Sequence, residues 1–150
     1  MDYIIQLLMA FLGSLGFGAL YNTHGRKLFL ASLGGLLAWA VYLLVNQFTP
    51  SPYPCAFLGS IALTIYAELM ARWQKTPVTV FLVTATIPLI PGAGLYRTVS
   101  AMMIKDAARA AEQGTYTLLF AASMAAGITF TTLCFRLIAQ RAHTFHCKHS

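Results

Sequence analysis

The chain of 150 residues has too few polar side chains to cover a soluble domain. Hydrophobic residues make up 58% of it and charged residues 9%, whereas ordinary soluble domains carry about 25% charged residues. The formal net charge is +6, from 10 Lys and Arg against 4 Asp and Glu. These values exclude a soluble globular domain, a disordered chain and a disulfide scaffold, and they predict a single integral membrane domain.

The distribution of charge also argues against nucleic acid as a partner. The cations stand in short clusters between long apolar runs, so they form neither a basic face nor an aromatic platform for bases. We assign residues 1–142 to the membrane domain and residues 143–150 to a flexible tail. The tail contains histidines but no second ligand pair at zinc-finger spacing, so neither a metal nor a cofactor is predicted.

Five apolar runs have about the 20 residues that a helix needs to cross a bilayer. They cover residues 3–21, 28–48, 55–71, 77–96 and 116–135. Small residues recur four apart on every uninterrupted run, a spacing that lets helices pack closely in lipid. The sequence therefore predicts an all-α polytopic membrane helix bundle of about five spans, whose first run is a retained span rather than a cleaved signal peptide.

The loops indicate the orientation. If all five runs cross, seven cations lie on one side and three on the other. The larger set should be cytoplasmic, which places the N-terminus outside and the C-terminus inside. The alternative is that the fourth run re-enters as a hairpin, and the charge bias then largely disappears. The three cations of the smaller set are Arg97, Lys105 and Arg109.

The segment 97–115 has apolar residues at helical spacing, with charged residues on another stripe. Gly114 is the expected helix stop. We interpret the segment as an amphipathic helix at the outer surface or as the outer continuation of the fourth span. A solvated connector is the alternative.

The most informative segment is 84–96, where two prolines and two glycines interrupt the fourth run at Pro88, Pro91, Gly92 and Gly94. Each proline removes a backbone donor, and the glycines permit backbone angles that a helix does not use. Unwound backbone is tolerated in a bilayer only against protein or a water-filled cavity. The pattern predicts a discontinuous span of the kind that presents polar backbone to a transported substrate. A simple proline kink is the alternative.

The sequence Ile87-Pro88-Leu89-Ile90-Pro91-Gly92, followed by Tyr96 and an Ala- and Met-rich helix, resembles the signature of the threonine/serine exporter family. The chain is similar to the small, split-type subunit of that family, which corresponds to the C-terminal membrane half of the full-length exporter. The resemblance implies secondary transport of small polar metabolites out of the bacterial cell across its inner membrane. The implied substrates are threonine and serine, or a dicarboxylate such as succinate.

The resemblance also implies a larger partner subunit that carries the other membrane half and a cytoplasmic hydrolase-like domain. Association with a second copy of this chain is a further expectation. The alternative function is a non-transporting membrane scaffold or assembly factor. No set of nucleophile, base and acid is found in the sequence, so we do not expect an enzyme.

The resemblance assigns the substrate path to the residues that match the motif, namely Pro88, Pro91, Gly92 and Tyr96. The neighbouring residues Thr84, Thr86, Gly94 and Arg97 complete the candidate path. The two threonine hydroxyls either face the break or hydrogen-bond to their own helix. The guanidinium of Arg97 either meets an anionic substrate or extends to the membrane interface.

Glu68 is the candidate for proton coupling, because it is the only acid inside an uninterrupted apolar run and such acids are often functional. Arg72 follows four residues later, at a spacing that favours an ion pair on one helix. We favour the structural pair as the interpretation of Glu68.

Overall fold

The computed structural model describes residues 2–49 and 51–147, with side chains described for residues 3–49 and 51–140. The described residues are helical and contain no strand, so the predicted all-α bundle is confirmed. The helices are α1 (Asp2–Leu20), α2 (Arg26–Phe48), α3 (Pro52–Trp73), α4 (Val78–Thr86), α5 (Gly92–Met103) and α6 (Ala107–Cys147), with a short 3-10 turn (Ile87–Leu89) between α4 and α5.

Three of the helices end in turns of the same type. Asn22, Lys75 and Lys105 each adopt a positive φ, of 59°, 49° and 58°. The residue after each of them donates its amide to a carbonyl five residues earlier, at 3.0 Å in all three cases. This Schellman-type ending satisfies terminal carbonyls and reverses the chain within a few residues. It therefore places α1 next to α2, α3 next to α4, and α5 next to α6.

Side-chain contacts give the directions of the helices around α4. Phe81, near the start of α4, packs in one buried cluster with Ala31 of α2 and Ala67 of α3. Leu89, at the end of the 3-10 turn, packs with Ala38 and Leu63. The contact on α2 moves forward along the chain and the contact on α3 moves backward, so α4 runs parallel to α2 and antiparallel to α3. Because Ala38 is near the middle of α2, the 3-10 turn lies about halfway through the bundle.

Small residues make the closest contacts between helices, as the sequence predicts. A Cβ added to Gly34 of α2 would lie 2.9 Å from the Cβ of Ala85, and a Cβ on Gly127 of α6 would lie 2.7 Å from the carbonyl oxygen of Phe57. On α6, however, only part of the predicted stripe is in contact. Gly127 is buried against α3, whereas Ala122 is exposed.

The fourth run is divided into two helical segments. The first segment, Val78–Leu89, and α5 are bent by 56° with respect to each other. A re-entrant hairpin requires the chain to reverse its direction, whereas a bend below 90° lets α5 continue toward the side to which α4 points. The geometry thus favours a broken span over the re-entrant alternative. By length and composition, four described helices can cross a membrane, or five when the bent pair counts as one span.

The predictions for segment 97–115 are wrong in their boundaries. The segment is divided by the turn at residues 104–106, and α6 begins at Ala107 rather than near residue 116. Gly114 does not stop a helix; it lies inside α6, where a Cβ would be 3.5 Å from Thr98 of α5. Glycine inside a helix costs only about 1 kcal/mol, and α6 continues through Gly114 while it packs against α5. The continuation of the fourth span is the alternative that the structure supports.

The hairpin of α5 and α6 extends beyond the neighbouring helices. The rings of Tyr53, at the start of α3, and Tyr116 lie 6.0 Å apart. Since α6 begins at Ala107 and rises about 1.5 Å per residue, its first turns extend about 13 Å past Tyr116 along the helix axis. At its other end α6 runs to Cys147. Residues 143–147 of the predicted tail are therefore helical, residues 148–150 lie outside the described residues, and the flexibility of the tail stays a prediction.

Replacing Gly127 with alanine should destabilise the bundle by roughly 1–3 kcal/mol, the usual cost of overpacking, because the new methyl group meets Ser60 and a backbone carbonyl. The matched control is Gly13→Ala, since a Cβ at Gly13 meets no other atom within 4 Å. The control should be neutral, or stabilising by about 0.5–1 kcal/mol. Thermal unfolding of the detergent-solubilised variants measures both, and equal melting temperatures would contradict the assigned contact between α3 and α6.

Candidate functional site

The break in the fourth span consists of two consecutive non-α-helical turns. The 3-10 turn closes with a hydrogen bond of 3.3 Å from the Ile90 amide to the Ile87 carbonyl. Pro91 follows with φ −76° and ψ 56°, the geometry of an inverse γ-turn. In that turn the Gly92 amide donates to the Ile90 carbonyl at 2.7 Å. Helix α5 begins immediately afterwards.

The two prolines account for this geometry. Pro88 has no amide hydrogen, so the carbonyl of Thr84 cannot receive the hydrogen bond that an α-helix would provide. Pro91 removes the donor for Ile87 in the same way, and the Ile90 amide replaces it. Ile90 is extended, with φ −63° and ψ 126°, because a residue before proline is disfavoured in the helical region.

The predicted reason for the glycines is wrong. Neither Gly92 nor Gly94 has a positive φ, and both belong to the first turn of α5. Gly94 is required for space, because a Cβ there would collide with the hydroxyl of Thr117 on α6. A Cβ on Gly92 meets no atom within 4 Å. Gly94 thus lets α5 pack tightly on α6, and Gly92 keeps the start of α5 open.

One side of the break borders a cleft of about 210 Å³ with aromatic walls. Trp39 and Tyr42 of α2 stack with ring centroids 4.9 Å apart, and Phe120 of α6 lies 6.2 Å from Tyr42. The remaining lining residues are Pro88, Leu89, Ile90, Pro91, Gly92, Ala93, Gly94, Arg97 and Tyr116. The two prolines and two glycines of the motif therefore lie together on one cleft.

The N-terminal end of α5 also borders the cleft. The amides of Ala93 and Gly94 have no hydrogen-bond acceptor among the described residues, as expected for the first turn of a helix. The partial positive charge of a helix N-terminus favours an anionic group. The cleft thus combines backbone donors with aromatic walls.

The other side of the break is covered by small residues of α1 and α2. Ser14 and Gly18 of α1 are buried, and Gly18 lies against Thr84, whose Cγ2 would be 3.1 Å from an added Cβ. Gly35 of α2 lies against Pro88, whose Cγ would be 3.3 Å from an added Cβ. Protein therefore replaces lipid on this side of the unwound backbone.

The hydroxyls of Thr84 and Thr86 hydrogen-bond to their own helix, which is one of the two alternatives expected from the sequence. Thr84 donates its hydroxyl to the Val80 carbonyl at 3.1 Å, and Thr86 donates to the Leu82 carbonyl. Both bonds run within α4, and neither side chain lines the aromatic cleft. The structure thus places the two threonines beside the break without directing their hydroxyls toward it.

Arg97 connects the aromatic cleft with a second one. It also lines a cleft of about 320 Å³ between α5 and α6, together with Tyr96, Ser100, Glu112 and Gln113. Tyr96 is 76% exposed. Within the part of the chain that the structure describes, Arg97 forms no ion pair, whereas Arg109 pairs with Asp106 at 3.3 Å. Arg97 therefore lies between the break and the projecting tip of the hairpin, without an ion-pair partner in the described part of the chain.

Glu68 and Arg72 form the ion pair that their spacing predicts, with an oxygen-to-nitrogen distance of 3.6 Å. The carboxylate of Glu68 is nearly buried, and the guanidinium of Arg72 lies 5.1 Å from the ring centroid of Phe135 on α6. Neither charged residue lines the aromatic cleft. The pair therefore joins α3 to α6 at a place separate from the break.

Sequence reasoning missed Trp39, Tyr42 and Phe120 as cleft residues. Each lies inside an apolar run, where an aromatic residue facing lipid and one facing a cleft look the same. Trp39 and Tyr42 stack because they are three residues apart on one helix face. This spacing alone does not predict a cleft unless the neighbouring break is also known.

A family model described as "Threonine/Serine exporter, ThrE" matches residues 6–134. The match includes the broken span, the aromatic cleft and the turn between α5 and α6. No solved structure matches the chain. A match over this much of its length shows that the chain belongs to the threonine/serine exporter family.

Proposed function

We propose that the chain is one membrane subunit of a secondary transporter that works with a larger partner subunit. The complex exports small polar metabolites, threonine and serine or a dicarboxylate such as succinate, across the bacterial inner membrane. Membership of the family supports the exporter part of the proposal. The structural observation that carries it is the break halfway through the bundle, which borders the aromatic cleft.

The chemistry of the cleft suits a carboxylate. The amides at the start of α5 and the guanidinium of Arg97, which have no acceptor and no ion-pair partner among the described residues, both attract the two oxygens of a carboxylate. A carboxylate is common to amino acids and dicarboxylates. In the proposed path the carboxylate binds first at the break and leaves along Arg97 and Tyr96 toward the tip of the hairpin.

The positive-inside bias supports the direction of this path. It places the tip of the α5–α6 hairpin outside the cell and the C-terminal end of α6 in the cytoplasm. A substrate moving from the break to the tip would then leave the cell. This orientation, with the N-terminus outside, is part of the proposal.

Two exposed surfaces, one on α6 and one at the end of α5, support the proposal of a partner subunit. Ala122 and Ala126, four apart on α6, are exposed, and such small residues favour close helix packing in membranes. Met102, Met103 and Ile104, at the end of α5, are 61%, 80% and 66% exposed. These apolar side chains lie on the part of the hairpin that extends past Tyr53 and Tyr116, where a partner subunit would cover them.

Reconstitution tests the proposal directly. Vesicles that contain the chain and its larger partner should release preloaded threonine, serine or succinate, and vesicles that contain either protein alone should not. Release is measured with radiolabelled substrates under an imposed ion gradient. If the pair assembles stably but moves none of the three substrates, the scaffold alternative is favoured. Full transport by this chain alone would disprove the need for a partner.

Gly92→Leu should reduce the transport rate by at least tenfold, because the added side chain enters the open start of α5 where the substrate is proposed to bind. The matched control is Gly16→Leu. Both glycines have open space around them, but Gly16 lies on the uninterrupted α1. Pro91→Ala should also reduce the rate, since it restores a backbone donor and straightens the turn. Wild-type transport rates in both Gly92→Leu and Pro91→Ala would show that the break is not part of the substrate path.

Glu68→Gln should leave the pH dependence of transport unchanged, because the carboxylate is paired with Arg72 and lies away from the cleft. It should lower the melting temperature slightly, since the guanidinium loses its charged partner. Transport rates across a pH series, compared between wild type and variant, provide the measurement. A flattened pH profile would instead identify Glu68 as the proton-coupling residue.

A further inference from the structure

Ser14 carries a buried hydroxyl that has no partner. Its side chain is fully buried, and its Oγ forms no hydrogen bond in the described part of the chain. The other buried serines, and all but one of the buried threonines, turn back to a carbonyl of their own helix. These are Ser32, Ser60, Thr64, Thr84 and Thr117.

The threonine that does not turn back is Thr131 on α6. One turn before it, Gly127 lies against Phe57 and Ser60 of α3, and Thr131 is not among the residues that line the aromatic cleft. Of the two hydroxyls without a partner among the described residues, that of Ser14 is the one found next to a residue of the break, since Ser14 and Pro88 both lie against Gly35. An unpaired buried group is uncommon in a native structure and requires an explanation.

Ser14 lies directly beside the break. A Cβ added to Gly35 would overlap the hydroxyl oxygen of Ser14. The same added Cβ would lie 3.3 Å from Cγ of Pro88. One helical turn further along α1, Gly18 lies against Thr84. Helix α1 thus follows the last turn of α4, with Ser14 at the level of Pro88 and Gly18 at the level of Thr84.

The break supplies a complementary acceptor. In an α-helix the carbonyl of Thr84 points toward residue 88 and bonds to its amide, but Pro88 has no amide hydrogen. The carbonyl therefore lacks its helical donor at the level where Ser14 has a hydroxyl without an acceptor. A donor and an acceptor on facing helix turns can form a bond after a small change in the angle between the helices.

We propose that Ser14 is a positioning residue of the transport cycle, which rests on the proposed function. Its hydroxyl donates to the Thr84 carbonyl in one conformation of the broken span and is released in the conformation described here. The bond links the bend of the fourth span to the packed pair α1 and α2. Two discrete arrangements of one packed element are the usual basis of such transitions.

Ser14→Ala tests this role with two measurements that should move differently. Because alanine removes an unsatisfied buried group, the melting temperature should stay the same or rise. Because the alternative conformation loses a hydrogen bond, the maximal transport rate should fall about fivefold, with less than a twofold change in KM. A purely structural serine would instead lower stability and transport together.

The control is Ser32→Ala. Ser32 is equally buried on the neighbouring helix, but its hydroxyl already donates to the Leu28 carbonyl at 2.9 Å. Its transport rate should stay within twofold of wild type. A further test uses Pro88→Ala, which returns an amide donor to the Thr84 carbonyl. In that background Ser14→Ala should have no additional effect, as expected for two changes that act on one bond.

A third measurement does not depend on transport. Spin labels at the exposed positions Val83 and Val99, on either side of the break, report the bend as a distance distribution. Ser14→Ala should shift this distribution toward the conformation described here, and Ser32→Ala should not. An unchanged distribution, or wild-type transport in Ser14→Ala, would overturn the inference. Failure of the wild-type complex to transport would count against the proposed function alone, because the distance measurement would still test Ser14.

Discussion

The structure depends on one constraint, which is that lipid offers no hydrogen bond to an unpaired backbone group. The break at Pro88 and Pro91 leaves such groups halfway through the bundle. Helices α1 and α2 cover one side of it with Ser14 and Gly35, so protein replaces lipid there. The aromatic cleft borders the other side, together with the first turn of α5. The break is therefore packed against protein on one face and borders the aromatic cleft on the other.

Close packing of small residues supplies the stability that apolar burial supplies in water, because apolar side chains gain little by moving from lipid to protein. The contacts at Gly34, Gly94 and Gly127 leave no room for a Cβ. Each of them fixes a different pair of helices: α2 with α4, α5 with α6, and α3 with α6. The positions that surround the break are thus held by backbone proximity, and the amides of Ala93 and Gly94 have no acceptor among the described residues.

The number of spans and the position of the break could be predicted from the sequence, because apolar run length and proline have direct structural consequences. The start of α6 could not, since Gly114 looks like a stop signal until α5 is known to pack against it. The exposed face of α6 could not be predicted either, because Ala122 and Gly127 belong to equally good small-residue stripes. The aromatic cleft forms only where three helices meet, and no local sequence pattern around Trp39 or Phe120 predicts that contact.

The composition of the cleft limits what this chain can recognise under the proposed function. The start of α5 and Arg97 provide donors for one carboxylate, and no acid lines the aromatic cleft. The ammonium group of an amino acid would meet no carboxylate here, and it would interact with the ring of Trp39 or Tyr42 through a cation–π interaction. The second carboxylate of a dicarboxylate would meet no additional cation in the cleft. Under the proposed function, the choice between the two substrate classes would therefore depend on the wall that the partner subunit contributes, while this chain would bind the carboxylate that both classes share.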